Sequence, residues 1–244
     1  MEAEALGEVS AGMTDKNAKK TKKAKAAKKT GTRDERKNQD RVVAEAALEL
    51  AAEKGWRHVS LHDIALRTNV SLSELYKNYL SKESILDRFI RAIDEEVLRA
   101  LDEEDTEETP RDRLFDILMR RFDALTPYKK GIAAVLKDVI CDPTALGLGA
   151  CRYFLSMTWM LEGAGISTAG LHGVLRVKGL SAIYFAVLQV WLGDVTEDQG
   201  KTMAALDRWL TRAEKIETQF PWPEKASSDV SPDVSDKPRD VPVP

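Results

Sequence analysis

Residues 60–82 read SLHDIALRTNVSLSELYKNYLSK, and this stretch decides the fold. Ser60 stands where a helix N-cap is wanted, and Leu61, Ile64 and Ala65 then share one face of a helix. The pattern runs to about Thr68. Asn69 follows at the point where the chain must turn, and Asn tolerates a left-handed backbone better than most residues. Val70 plugs the corner. Ser71, with Glu74 three residues later, is a capping-box signature for a second helix, which carries Leu75 inward and Leu72, Ser73, Tyr76 and Lys77 on more exposed faces. Ser81 caps the next helix. Helix, tight turn, helix is the geometry that lays a second helix in the DNA major groove.

Outward from this stretch the text is helical on both sides, and the expected fold is all-α with about nine helices. Upstream, Val43, Ala46, Ala47, Leu50 and Ala51 form the apolar stripe of a helix over 34–54, stopped by Gly55, with Trp56 packing beneath the three-helix unit. Downstream, Ile85, Leu86, Phe89, Ile90, Ile93 and Val97 mark a long fourth helix that breaks in the acidic run 102–105. Pro110, Thr126-Pro127 and Asp142-Pro143 are three successive helix starts. The seventh helix, about 143–162, is apolar nearly all round and ends at Gly163 and Gly165. The eighth begins at Ser167 or Thr168 and ends before Gly193, and Thr196 with Gln199 reads as a capping box for the ninth. The organisation expected is therefore an arm over 1–33, a helix-turn-helix unit over 34–82, a helical regulatory and dimerisation domain over 83–220, and a tail over 221–244.

Arm and tail are low-complexity. The arm carries Lys16, Lys19, Lys20, Lys22, Lys23, Lys25, Lys28 and Lys29 among Ala and Thr; the tail is Ser, Asp, Pro and Val. Neither can bury a core, so both are expected to be disordered. A cationic run beside a helix-turn-helix suits a DNA-tracking arm; alone it is equally a solubilising tail. The net charge of −3 hides this asymmetry. Two cysteines, Cys141 and Cys151, lack metal-ligand spacing and fit a reduced, cytoplasmic setting. No signal-peptide pattern is visible, and the apolar stretch 179–192 reads as too short to span a bilayer.

No catalytic constellation appears. The three histidines, His58, His62 and His172, are scattered, there is no phosphate-binding glycine loop or nucleophile elbow, and the carboxylates fall on solvated faces. No enzyme activity, cofactor or metal is expected. In the seventh helix, Cys151, Arg152, Phe154, Leu155 and Trp159, with Lys178 from the eighth, are candidates for the wall of a cavity taking an apolar or lipid-like effector, Arg152 and Lys178 meeting its headgroup; a plain core helix reads equally well.

Ile64-Ala65, Asn69-Val70-Ser71, Tyr76, Tyr79 and Lys82, with Gly55-Trp56 upstream, resemble the DNA-binding domain of TetR-type transcriptional regulators over about residues 39–90. Leu72, Ser73 and Glu74 depart from that family's pattern. The resemblance implies double-stranded DNA as partner, with contacts from Ser60, Leu72, Ser73, Tyr76, Lys77, Asn78 and Lys82, and a repressor modulated by a small ligand. It also implies a homodimer formed by the last two helices. In the eighth, Gly179, Ala182 and Ala186 permit close approach while Leu175, Ile183, Val187 and Val190 supply apolar area. A second stretch, Trp191-Leu192-Gly193-Asp194 to Leu206-Asp207, is similar to the lipid-binding accessory protein of ubiquinone biosynthesis. It implies, as the alternative, a lipid-binding protein with a relict helix-turn-helix.

Overall fold

The computed structural model describes residues 35–101, 109–140 and 142–219. The arm, the tail, the acidic run 102–108 and Cys141 lie outside them. Among the described residues the chain is all-α, without strands: α1 (residues 35–54), α2 (Leu61–Thr68), α3 (Leu72–Asn78), α4 (Lys82–Leu101), α5 (Pro110–Leu125), α6 (Lys129–Ile140), α7 (Pro143–Gly163), α8 (Gly170–Gly193) and α9 (Gly200–Gln219). Single 3-10 turns, Trp56–His58 and Thr126–Tyr128, join α1 to α2 and α5 to α6.

The start signals explain most boundaries. Thr109 caps α5 and accepts from the Asp112 N–H, with Pro110 at the first helical position. Gly55 ends α1 at φ 83, a left-handed backbone that a side chain would strain. Three expected starts are corrected. Thr126-Pro127 forms the 3-10 turn, with the Thr126 hydroxyl donating back to the Phe122 carbonyl instead of capping α6. The Thr196–Gln199 box does not form, because Gln199 takes φ 51 and its amide donates to Asp123. Asp194 caps α9 instead: its carboxylate accepts from the Thr202 N–H and hydroxyl, both at 2.9 Å. At the head of α8, Ala169 takes the cap position without a side-chain bond, since the Thr168 hydroxyl donates to Glu162.

One apolar core runs the length of the molecule, from Val43, Ala47 and Ala51 of α1 to Ala205, Leu206 and Leu210 of α9. The small N-terminal unit sits on the α5–α6 corner. There the Tyr128 hydroxyl donates to Glu45 at 2.9 Å, and the Arg57 N–H donates to Asp138 at 2.8 Å. Gly131 lies so close to α1 that a Cβ would fall 2.5 Å from the Leu48 carbonyl oxygen.

Inside the larger unit, a buried polar knot joins four helices. Arg121 of α5 donates to Asp94 of α4 at 2.8 Å, to Ser156 of α7 at 3.2 Å and to the Tyr184 hydroxyl of α8. Ser156 closes the ring by donating to Asp94 at 2.7 Å. Burial pushes the Tyr184 hydroxyl up despite the guanidinium beside it.

Helix α8, 24 residues long, is long and apolar enough by length and composition to cross a bilayer, as buried core helices can also be. The apolar stretch 179–192 is its second half; the helix extends back to Gly170 through Arg176 and Lys178. The helix is apolar on two sides for two reasons. Leu180, Tyr184, Val187, Leu188 and Trp191 face the core, and Leu171, Val174, Leu175, Phe185 and Val190 face outward.

Candidate nucleic-acid interface

Ser60 builds the first half of the motif. Its hydroxyl accepts from the Asp63 N–H while the Asp63 carboxylate accepts from the Ser60 N–H, a complete capping box. Lys54 lies 2.8 Å from the same carboxylate and, with the Ser60 bonds, holds Asp63 well below the usual carboxylate range. Asn69 takes the left-handed turn at φ 55, and Val70 packs against the core. At Ser71 only half of the expected box forms. Ser71 accepts from the Glu74 N–H, but the Glu74 carboxylate accepts from Gln39 of α1 at 2.9 Å, since that cross-helix donor outcompetes a return to the backbone.

Within α3, Leu75 is the buried residue. Tyr79, just beyond, is buried too: its hydroxyl donates to Asp40 of α1 at 2.5 Å, and Arg88 lies 5.0 Å over its ring. Burial first, then the Asp40 carboxylate, pushes that phenol far up, so it stays a neutral donor. These bonds fix α3 against α1 and α4. To solvent α3 presents Leu72, Ser73, Tyr76 (82% exposed) and Lys77, with Glu74 exposed beside Gln39. Asn78 is exposed, but its amide donates to the Glu74 carbonyl at 3.1 Å.

Lys82 is placed differently from the other six candidate contacts. It is half-buried, and its ammonium donates to the carbonyls of Trp56 at 2.7 Å and Val59 at 3.0 Å while lying 4.8 Å over the Trp56 ring. It ties the start of α4 to the turn before α2. The neighbouring cations are largely paired: Arg67 with Glu53 at 2.7 Å, Arg88 with Asp40 at 3.3 Å, Lys37 with Glu95 at 2.9 Å.

The candidate cavity residues lie on the outer faces of two helices. Cys151, Arg152, Phe154, Leu155 and Trp159 lie on the outer side of α7, Trp159 56% exposed, and Lys178 on the outer side of α8. Arg152 pairs with Asp87 at 3.4 Å. The inner side of α7 is taken by Ser156, Met157, Met160 and Leu161.

Of the candidate interface residues on α8, Leu175, Gly179, Ala182 and Val190 face outward, Ile183 and Ala186 are half-buried, and Val187 is fully buried in this chain's own core. The sequence reading missed Leu171, Val174 and Phe185, which complete the outward stripe at helical spacing. Among the described residues no group of three His, Cys, Asp or Glu side chains is arranged to hold a metal. The stretch of the second resemblance does structural work here: Trp191 is buried under Lys129 and Asp194 caps α9.

Helix, left-handed turn and a second helix held out by its own bonds make a helix-turn-helix on an all-α chain, the arrangement of helix-turn-helix DNA-binding domains. Residues 43–89 match the family model of bacterial regulatory proteins of the TetR family. The chain resembles the crystal structure of the TetR transcriptional regulator from Nitrosomonas europaea at 24% identity and a TM-score of 0.60, over 73% of this chain and 99% of that one. It also resembles a TetR-family transcriptional regulator from Streptomyces coelicolor at 14% identity and a TM-score of 0.52, over 76% and 84% of the two chains. No curated protein matches the sequence. Residues 43–89 thus match the TetR family model, and the chain shares its fold with these two TetR-type structures.

Proposed function

We propose that this chain is a homodimeric repressor that reads a palindromic operator through α3, its two copies joined along α8. The observation that carries the reading is the outer stripe of α8. Leu171, Val174, Leu175, Ala182, Phe185 and Val190 run along it, and a Cβ on Gly179 would meet nothing within 4 Å. Such a face on a helix whose other side is already core is what an isologous contact uses. Two α3 helices one turn of duplex apart then require a two-fold operator, and a dimer seated on a promoter represses by exclusion. An apolar effector that re-spaces the two reading units would act as the switch.

The Lys-rich arm at 16–29 adds sequence-blind affinity for phosphate, which falls steeply with salt. The test is genome-wide recovery of DNA bound to the purified full chain at two salt concentrations. Discrete sites that persist at the higher salt, carry a two-fold repeat and are bound by a sedimenting dimer are the expected result. A monomer, or recovery that disappears uniformly with salt, refutes the reading. Tyr76→Ala and Lys77→Ala are each expected to weaken operator binding several-fold, about 1–2 kcal/mol per lost contact, with sedimentation unchanged.

A further inference from the structure

We infer that Leu72 selects the half-site, and that it selects thymine by the C5-methyl group; the inference rests on the DNA-reading role proposed above. At 100° per residue, α3 places Ser73 and Lys77 opposite buried Leu75, with Leu72 and Tyr76 on one flank and Glu74 and Asn78 on the other. The second flank is exposed too, but its polar groups are engaged within the chain. Gln39 holds the Glu74 carboxylate at 2.9 Å, the Asn78 amide donates to the Glu74 carbonyl at 3.1 Å, and Arg88 donates to the Asn78 carbonyl at 2.6 Å.

The side of α3 whose polar groups are not engaged by Gln39, Arg88 or the helix itself is Leu72, Ser73, Tyr76 and Lys77. It contains no Arg fork for guanine and no Gln amide for adenine; Lys77 can meet guanine or phosphate, and the one Asn of the helix, exposed on the other flank, has an amide hydrogen already used. Leu72 is the first residue of α3, and residues at the start of a recognition helix are the ones that reach base edges. It is 47% exposed beside Tyr76 one turn on. A lone exposed Leu means little. An aliphatic group held at the reading end of α3, however, has one distinguishing partner in the major groove, because only thymine offers a methyl there. Ser73 beside it accepts or donates and adds no conflicting demand.

The experiment selects bound duplexes from a random pool with the full-length protein at physiological salt. It then replaces each thymidine of the recovered half-site, one at a time, by deoxyuridine, which deletes the methyl and keeps the base pair. One position per half-site is expected to lose about fourfold in affinity, the worth of one buried methyl group. In Leu72→Ala that loss is expected to vanish, while the melting midpoint of this surface variant stays at that of the parent. Recovery of no duplex at all overturns the DNA-reading role itself. Recovered duplexes in which every deoxyuridine is tolerated, or in which Leu72→Ala remains equally sensitive, overturn the assignment of Leu72 and leave the DNA-reading role standing.

Discussion

Among single residues, Lys82 has a position that the motif identifies and partners that it does not. The carbonyls it satisfies belong to Trp56 and Val59, more than twenty residues upstream, and sequence spacing carries no trace of such a contact. Lys82→Ala strips both carbonyls of a charged donor. It is expected to lower the unfolding free energy by about 1–3 kcal/mol in urea titrations, whereas Lys77→Ala, on the exposed side of α3, leaves it within about 0.5 kcal/mol. Ser60 and Asn69 were legible because their work is local: a cap reaches three residues on, and a left-handed turn is set by the residue itself. Glu74 was half legible, since its backbone N–H obeys the local rule and its carboxylate answers to Gln39. Glycines divide in the same way. Gly131→Ala drives a Cβ to within 2.5 Å of the Leu48 carbonyl oxygen and 2.7 Å of the Leu48 Cβ, and is expected to cost about 1–3 kcal/mol. Gly147→Ala meets nothing and is expected to stabilise α7 by about 0.5–1 kcal/mol, as thermal melts of the pair will report.

At the scale of elements, existence was easy to read and facing was not, for a physical reason. In α1 and α4 one side is charged, so the apolar side names the core: Val43, Ala47 and Leu50, then Ile85, Phe89 and Ile93, are buried as their spacing requires. Helices α7 and α8 are apolar on both sides, so periodicity leaves their rotation open. That is why Phe154, Leu155 and Trp159 sit outside where a cavity wall was expected, and why Val187 turns inward while Phe185 turns out. The stripe itself supplies a test. A charge placed in it, Phe185→Glu, is expected to shift sedimentation from dimer to monomer and to lower operator affinity at nanomolar protein, with helicity retained because Phe185 lies outside the core. The α8–α9 corner makes a pH-dependent contribution. The Asp194 carboxylate, held below its ordinary range first by the Thr196 hydroxyl, stabilises the fold above the ordinary carboxylate value of about 4, and that contribution fades as pH falls below it. Asp194→Asn is therefore expected to melt lower than the parent at pH 7, with the gap narrowing as the melts are repeated at progressively lower pH.

Across the whole molecule, the DNA-reading unit is joined to the rest by α4 and by the α1–α6 seam, and the interior of the larger unit holds α4 by a charge. Asp94 sits on the same helix as Lys82 and Phe89, so whatever fixes Asp94 also fixes the angle at which the reading unit is carried. Arg121 does so from α5, with Ser156 and Tyr184 completing the ring from α7 and α8. A buried ion pair is weak support in itself, because desolvating both charges offsets most of their attraction; its value lies in the one arrangement it permits. Arg121→Met leaves Asp94 buried without its cation and is expected to cost about 3–5 kcal/mol. Adding Asp94→Leu removes the orphaned charge and is expected to restore most of that stability in urea titrations. If the knot sets the carriage of α4, the restored double variant still binds its operator more weakly than the parent, because stability has returned and the directional bonds have not. A double variant equal to the parent in both stability and operator affinity assigns the knot to filling space, and leaves the setting of α4 to the seam at Gly131 and Leu48.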